Sequence, residues 1–131
     1  EVLSLELADP RFYHLDTCFC PLDSGSALYY PGAFDRYGRR VLRDRIADLI
    51  AVPKGEALRF GCNAIVLGLQ VVMNSGCPTL RRKLQERGYA VHEVELSEYI
   101  KAGGSAKCLA LFLDRPGQPP AGATANFGGP T

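Results

Sequence analysis

Three side chains suited to covalent and acid–base chemistry occur in two short motifs. Tyr13-His14-Leu15-Asp16-Thr17 sets an imidazole and a carboxylate two residues apart in a run of strand formers. Read as a strand over 11–20, this segment turns both side chains to one side. Gly103-Gly104-Ser105-Ala106-Lys107-Cys108 sets a thiol behind a flexible glycine pair, at the head of the apolar run Leu109-Ala110-Leu111-Phe112-Leu113. A thiol nucleophile needs an acid–base partner and a group that orients the substrate. Cys108, His14 and Asp16 supply one group for each role. Taken singly, each also has an ordinary structural reading. Cys108 fits a core residue at a strand start, His14 a hydrogen-bonded strand histidine, and Asp16 an acceptor for strand-end amides.

The elements that must position these groups alternate between strand and helix. After the first strand, Asp23-Ser24-Gly25-Ser26 is a turn, and Ala27 to Tyr30 returns as a second strand that Pro31-Gly32 breaks. Helical spacing of Val41, Leu42, Ile46 and Leu49 predicts a helix from about Phe34 to Asp48, with arginines on its solvated face. Leu49 to Val52 is a short strand, and Glu56 to Arg59 one helical turn. The pattern then recurs. Asn63 to Leu67 and Gln70 to Asn74 are strands joined at Gly68-Leu69. Pro78 opens a helix that runs to Arg87 and stops at Gly88. Tyr89 to Leu96 is a strand, with His92 on a solvated face. Ser97 caps a short helix through Ala102, and Cys108 to Leu113 is the last strand. The sequence thus reads as strand-strand-helix-strand, used about twice, with the start of a third unit. Residues 115–131, rich in Pro, Gly and Ala, are expected to be disordered.

Composition narrows the function classes. With 47% apolar and 22% charged residues, the 131-residue chain can bury a core of its own. A net charge of +1 gives no argument for nucleic acid or an anionic membrane, and neither is expected as a partner. The arginine-rich stretch from Arg36 to Arg45 is flanked or interrupted by Asp35, Asp44 and Asp48, as on a solvated helix face. No apolar run reaches the ~18 residues of a membrane-spanning helix. The five cysteines are odd in number and irregular in spacing, which predicts free thiols and a reducing, cytoplasmic setting. His14, Asp16, Cys18 and Cys20 share one parity, but such a strand spreads its ends ~20 Å apart. No metal site is expected there.

The segments FYHLDTCFCPL, FGCNAIVLG and GGSAKCLALFL resemble the C-terminal half of the guanidino-group-modifying enzymes. These comprise arginine deiminases, dimethylarginine dimethylaminohydrolases and amidinotransferases. The resemblance runs over residues 9–114 and rests on His-x-Asp, a mid-chain Asn and Gly-Gly-Ser-x-Lys-Cys in that order. It implies an α/β propeller of five strand-strand-helix-strand modules, of which two to three are present in a domain over 1–114. It also implies a hydrolase acting on the guanidinium carbon of arginine or a methylated arginine and giving citrulline. Cys108 attacks that carbon to form a thiouronium intermediate, and His14 protonates the leaving amine and then activates water. Asp16, Asn63, Gly104 and Ser105 are the expected substrate-binding positions, Ser105 through its backbone. No cofactor is implied. Many dimethylarginine hydrolases carry lysine at the Asp16 position, so Asp16 favours an unmethylated substrate.

Two alternatives remain at this level. An amidinotransferase would pass the amidino group to an amine instead of water. A half-propeller that lacks a working site would serve as an assembly or binding module. The family draws further carboxylates from its N-terminal half, and Glu1 and Glu6 match no motif for them. The chain, which begins at Glu1, is therefore expected to be a piece that needs the missing half of the propeller or self-associates into an oligomer.

Overall fold

One device, a hairpin followed by a helix and a parallel return strand, builds both sheets of the fold. The computed structural model describes residues 1–113. The first sheet contains β1 (Phe19–Pro21) and β2 (Ser26–Tyr29). Helix α1 (Arg36–Arg45) follows, and β3 (Asp48–Ala51) returns beside β2. β1 and β2 are antiparallel, with Phe19 opposite Tyr29. β2 and β3 are parallel, with Ser26 opposite Asp48. After the short helix α2 (Lys54–Ala57), the same order recurs in β4 (Ile65–Leu67), β5 (Gln70–Asn74), α3 (Pro78–Gln85) and β6 (Ala90–Val94). There Ile65 faces Val72 in antiparallel pairing, and Gln70 faces Ala90 in parallel pairing. A last helix, α4 (Ser97–Lys101), leads into the thiol loop.

Local chemistry sets the ends of these elements. Asp35 caps α1, its carboxylate accepting the Gly38 amide at 2.7 Å. Pro78 occupies the first turn of α3, where its missing N–H costs nothing. Asp23 closes the first hairpin by accepting the amides of Gly25 and Ser26, both at 2.8 Å. The central strands are the most buried. All four residues of β2 are inside, as a strand covered on both faces requires.

The two sheets share one core. Phe12, Leu28 and Ile50 from the first half cluster with Val71, Met73, Leu80 and Leu84 from the second. Burying each such side chain contributes about 1.5–3 kcal/mol. Phe12 packs its ring on Tyr30 at 5.1 Å and on Phe60 at 6.2 Å between centroids. Polar ties follow the same seam. Arg87 pairs with Asp48, Lys83 donates to the Ala51 carbonyl, and the Tyr89 hydroxyl donates to Asp23. Residues 9–20 and the loop 103–108 are thus fixed against one continuous body.

Four expectations are corrected. The strand expected over 11–20 exists only from Phe19 onward. Leu15–Thr17 is a single 3-10 turn, closed by the Thr17 amide and hydroxyl on the His14 carbonyl and by the Cys18 amide on the Leu15 carbonyl. Thr17 has a β-branched side chain, but its hydroxyl competes for local backbone and wins. His14 and Asp16 therefore do not share a strand face. The strand expected over 108–113 is also missing. The chain there turns, Leu109 donating to Ser105 and Ala110 to Lys107, and Leu111 and Leu113 stand 85% and 88% exposed. Ser97 does not cap α4. Leu96 holds that position, and the amides of Leu96 and Ser97 are taken by the Asn74 and Glu95 side chains. Helix α1 is shorter at both ends than its apolar spacing suggests, because Asp35 starts it and Ile46 already has extended backbone. The tail expected over 115–131 lies outside the described residues.

Candidate active site

The site is organised around Asn63, two residues before β4. Its amide donates to the Phe60 carbonyl, closing a turn in which Phe60 takes a left-handed backbone conformation at φ 55°. The side chain is fully buried. Nδ2 donates to the Asp16 carbonyl at 3.0 Å and to Cys108 Sγ at 3.2 Å. Oδ1 accepts the Ser105 amide at 3.1 Å and the Cys108 amide at 3.2 Å. The Asn63 carbonyl accepts Lys107 N–H as well. One side chain thus joins the 3-10 turn of the first unit to the thiol loop.

Cys108 is the one exposed cysteine of the five. Its thiol lies 3.8 Å from Asp16 Oδ2, toward which it donates. The other carboxylate oxygen, Asp16 Oδ1, is buried and has no partner among the described residues. A carboxylate oxygen accepts N–H donors and donates none. The remaining cysteines are chemically quiet. Burial pushes the Cys18 thiol up to about 12 and those of Cys20 and Cys77 to about 11. Burial raises Cys62 further still, well above the usual thiol range.

His14 is solvent-exposed and stacks edge-on against Tyr13, with centroids 5.0 Å apart. Its ring has no hydrogen-bond partner among the described residues. His14 and Cys108 line one open concavity of about 330 Å³, together with Tyr13, Tyr99, Gly103 and Gly104. Asp16 lines a neighbouring cavity of about 220 Å³ with Phe19, Cys20, Val66 and Lys107. Cys108 thus shares the first cavity with His14 and lies 3.8 Å from the carboxylate of Asp16, which lines the second.

The loop that carries the thiol is pinned at its start. Gly103 ends α4 at φ 90°, and the Tyr13 hydroxyl donates to its carbonyl. A Cβ at Gly103 would meet that hydroxyl, and one at Gly104 would lie 3.0 Å from Cys108 Cβ. Gly103 is therefore favoured by backbone conformation and by close approach, and Gly104 by close approach alone.

The structure brings together Cys108, His14, Asp16, Asn63 and Gly104. Ser105 lies beneath the surface, fully buried, with its hydroxyl unpaired among the described residues. Asn63 is at the site, but all its side-chain hydrogen bonds are made inside the protein. Tyr13, read from the sequence only as part of a motif, has a positioning contact to the thiol loop. A tyrosine beside His-x-Asp gives no sign of that reach, since its partner lies at the far end of the sequence.

No protein-family model matches the chain. It is 49% identical over 129 residues to the bifunctional arginine dihydrolase/ornithine cyclodeaminase ArgZ of Synechocystis sp., a match that covers 97% of this chain and 18% of that protein. The crystal structure of the N-terminal domain of ArgZ bound to product superposes with a TM-score of 0.81 at 52% identity, covering 85% of this chain and 41% of that one. The chain belongs to the guanidino-group-modifying enzymes. A dimethylarginine dimethylaminohydrolase of Mycobacterium tuberculosis is 43% identical over 112 residues, 86% of this chain and 37% of that protein. The corresponding Pseudomonas aeruginosa enzyme, solved with citrulline, gives a TM-score of 0.59 at 29% identity, covering 70% of this chain and 33% of that one. The chain spans less than a fifth of the length of the first curated relatives it matches. The expectation of a guanidino-modifying relationship, made from His-x-Asp and the Gly-Gly-Ser-x-Lys-Cys motif, therefore holds.

Proposed function

We propose that this chain carries the nucleophile and acid–base half of an arginine hydrolase. What supports this reading most is an exposed thiol set beside a carboxylate whose second oxygen is buried and unpaired among the described residues. A guanidinium seated there donates to Asp16 and offers its carbon to Cys108. The bound cation also favours the thiolate form of a neighbouring thiol. Sulfur forms a bond to the guanidinium carbon, and a C–N bond breaks as ammonia leaves with a proton from His14. Water then adds to the thiouronium carbon, giving a proton back to His14, and the C–S bond breaks. Citrulline and the free thiol result. Asp16 holds the substrate through both steps, and Gly104 leaves room for its backbone approach.

The rest of a five-module propeller completes the pocket in this reading and supplies the further carboxylates that surround a guanidinium. The uncovered Leu109, Leu111 and Leu113 side chains fit such a neighbour. Free thiols throughout suit the cytoplasm.

One observation favours a second outcome. The relatives at 49% identity are named arginine dihydrolases. A dihydrolase adds water twice, so that arginine gives ornithine, carbon dioxide and two ammonia molecules. The test is to incubate the full-length gene product that contains this chain with arginine and to measure citrulline, ornithine and ammonia together. Citrulline with one ammonia supports the hydrolase, and ornithine with two ammonia supports the dihydrolase. Cys108→Ala should abolish either. A folded protein with an intact Cys108 that turns over no guanidine refutes the proposal.

A further inference from the structure

We infer that Asn63 is a positioning residue for the nucleophile rather than a substrate ligand: its carboxamide holds the Cys108 thiol and the loop that carries it. This deepens, and rests on, the reading of Cys108 as nucleophile. A carboxamide offers two N–H donors and two acceptor lone pairs. At Asn63 all four are in use, on the Asp16 carbonyl, Cys108 Sγ, the Ser105 amide and the Cys108 amide. Nothing remains to meet a ligand, and the side chain is fully buried. A donor aimed at sulfur stabilises the thiolate relative to the thiol. The two amides held by Oδ1 bracket the turn that projects the sulfur, so the same group positions the nucleophile and sets a donor on its sulfur.

The bond to the Asp16 carbonyl extends this role. It ties the turn bearing the substrate carboxylate to the loop bearing the nucleophile, across sequence separations of 47 and 45 residues. Asn63 therefore sets the spacing between the group that holds the guanidinium and the group that attacks it. Neither Asp nor Ser can replace it. Aspartate is isosteric and keeps an acceptor, but it lacks the donor and adds negative charge beside the sulfur. Serine is too short to reach both loops.

The test uses the full-length gene product and two variants, Asn63→Asp and Asn63→Ser. Iodoacetamide alkylation of Cys108 is followed against pH, and arginine turnover is measured in parallel. Loss of one charge-assisted hydrogen bond to sulfur is expected to move the pH midpoint of alkylation upward by about one unit in both variants. It should slow alkylation near neutral pH by about tenfold. The kcat for arginine should fall while KM changes by less than about threefold. Tyr13→Phe, which loosens the same loop without touching the sulfur, should slow turnover but leave the midpoint in place. In the unaltered protein, the Asn63 side-chain amide resonances should shift as Cys108 titrates and stay still in Cys108→Ala, a readout that does not depend on the folding of either Asn63 variant. Unmoved amide resonances overturn the assignment, as does a rise in KM at constant kcat. If the unaltered protein turns over no arginine yet the alkylation midpoint shifts as stated, the hydrolase reading fails and the role of Asn63 stands.

Discussion

Iodoacetamide added to the folded protein near neutral pH is expected to modify Cys108 well before the other four cysteines. The reactive species is the thiolate. With thiols held near 11, Cys20 and Cys77 are ionised to about one part in 10³ at about pH 8, and Cys18, near 12, to about one part in 10⁴. A fully solvated thiol of ordinary acidity is about a quarter ionised there. The deficit is thus ~10²–10³. Less acidic thiolates are the better nucleophiles, and a Brønsted slope of about 0.4–0.5 returns about one order of magnitude or slightly more. Ionisation alone therefore leaves the buried thiols slower by roughly 15- to 100-fold. Access slows them further, because Cys18, Cys62 and Cys77 react only after local opening. Peptide mapping by mass spectrometry, sampled over time under native conditions and again in denaturant, reads each site separately. Cys108 should lead Cys20 by at least about tenfold and the other three by at least about 100-fold in the folded protein, and the five should converge once it is unfolded. Labelling of Cys20 or Cys77 as fast as Cys108 under native conditions would contradict both the exposure of the thiol and the cause given for its selectivity.

His14→Asn should lower kcat of the full-length protein by about 10²–10⁴, the usual worth of acid–base catalysis, and a chemically competent His14→Asn enzyme would remove the imidazole from the mechanism. Asp16→Asn should weaken substrate binding by about 1.5–3 kcal/mol, the value of a hydrogen bond to a charged group, seen by calorimetry with arginine on a Cys108→Ala background. Gly103→Ala should lower the denaturation midpoint, by about 1–3 kcal/mol in stability, because φ is 90° there and the new methyl meets the Tyr13 hydroxyl; an unchanged midpoint and rate would show that the loop is not clamped. Hydrogen bonds from Ser26, Gly25 and Tyr89 hold the Asp23 carboxyl at about 2, below its usual 3.8. A depressed carboxyl stabilises the fold above its unfolded pKa and loses that effect as pH falls toward the folded value. The gap in melting temperature between the unaltered protein and Asp23→Ala should therefore be full above about pH 4 and shrink between about pH 4 and pH 2, and a constant gap would rule out this linkage.

Much of the scaffold can be read from residues that fix backbone conformation. Pro78 and Gly88 frame α3, and Gly68-Leu69 joins β4 to β5, because the physical reasons for those residues are local. The two segments that carry the chemistry are read poorly, and for a common reason. Both are apolar or β-branched and look like strands, yet side chains hold their backbone groups, a carbonyl in the first and amides in the second. Thr17 turns the chain after His14, and Asn63 takes the amides of Ser105 and Cys108 before any sheet edge can. A strand needs a neighbouring edge, which composition does not show. Asn63 did leave a trace in the sequence. A carboxamide inside Cys62-Asn63-Ala64-Ile65-Val66-Leu67 must find four partners if it is buried, and that requirement signals a hub even when the partners cannot be named.

The repeated strand order has a consequence for how this site tolerates change. In each unit a polar residue of the candidate site sits just ahead of the first strand: Asp16 before Phe19, and Asn63 before Ile65. The two units thus present their working residues at the same structural address, at the lead-in to the hairpin and outside every ladder pair. Chemistry and cohesion are therefore written in separate parts of the chain. Substitutions along β2, β3, β5 or β6 adjust the strength of the body and leave the spacing of thiol and carboxylate alone, whereas a one-residue insertion in either lead-in shifts the site without unpairing a strand. A duplicated unit of this kind can gain or exchange a catalytic function by edits to a few residues at one end, with the fold underneath unchanged.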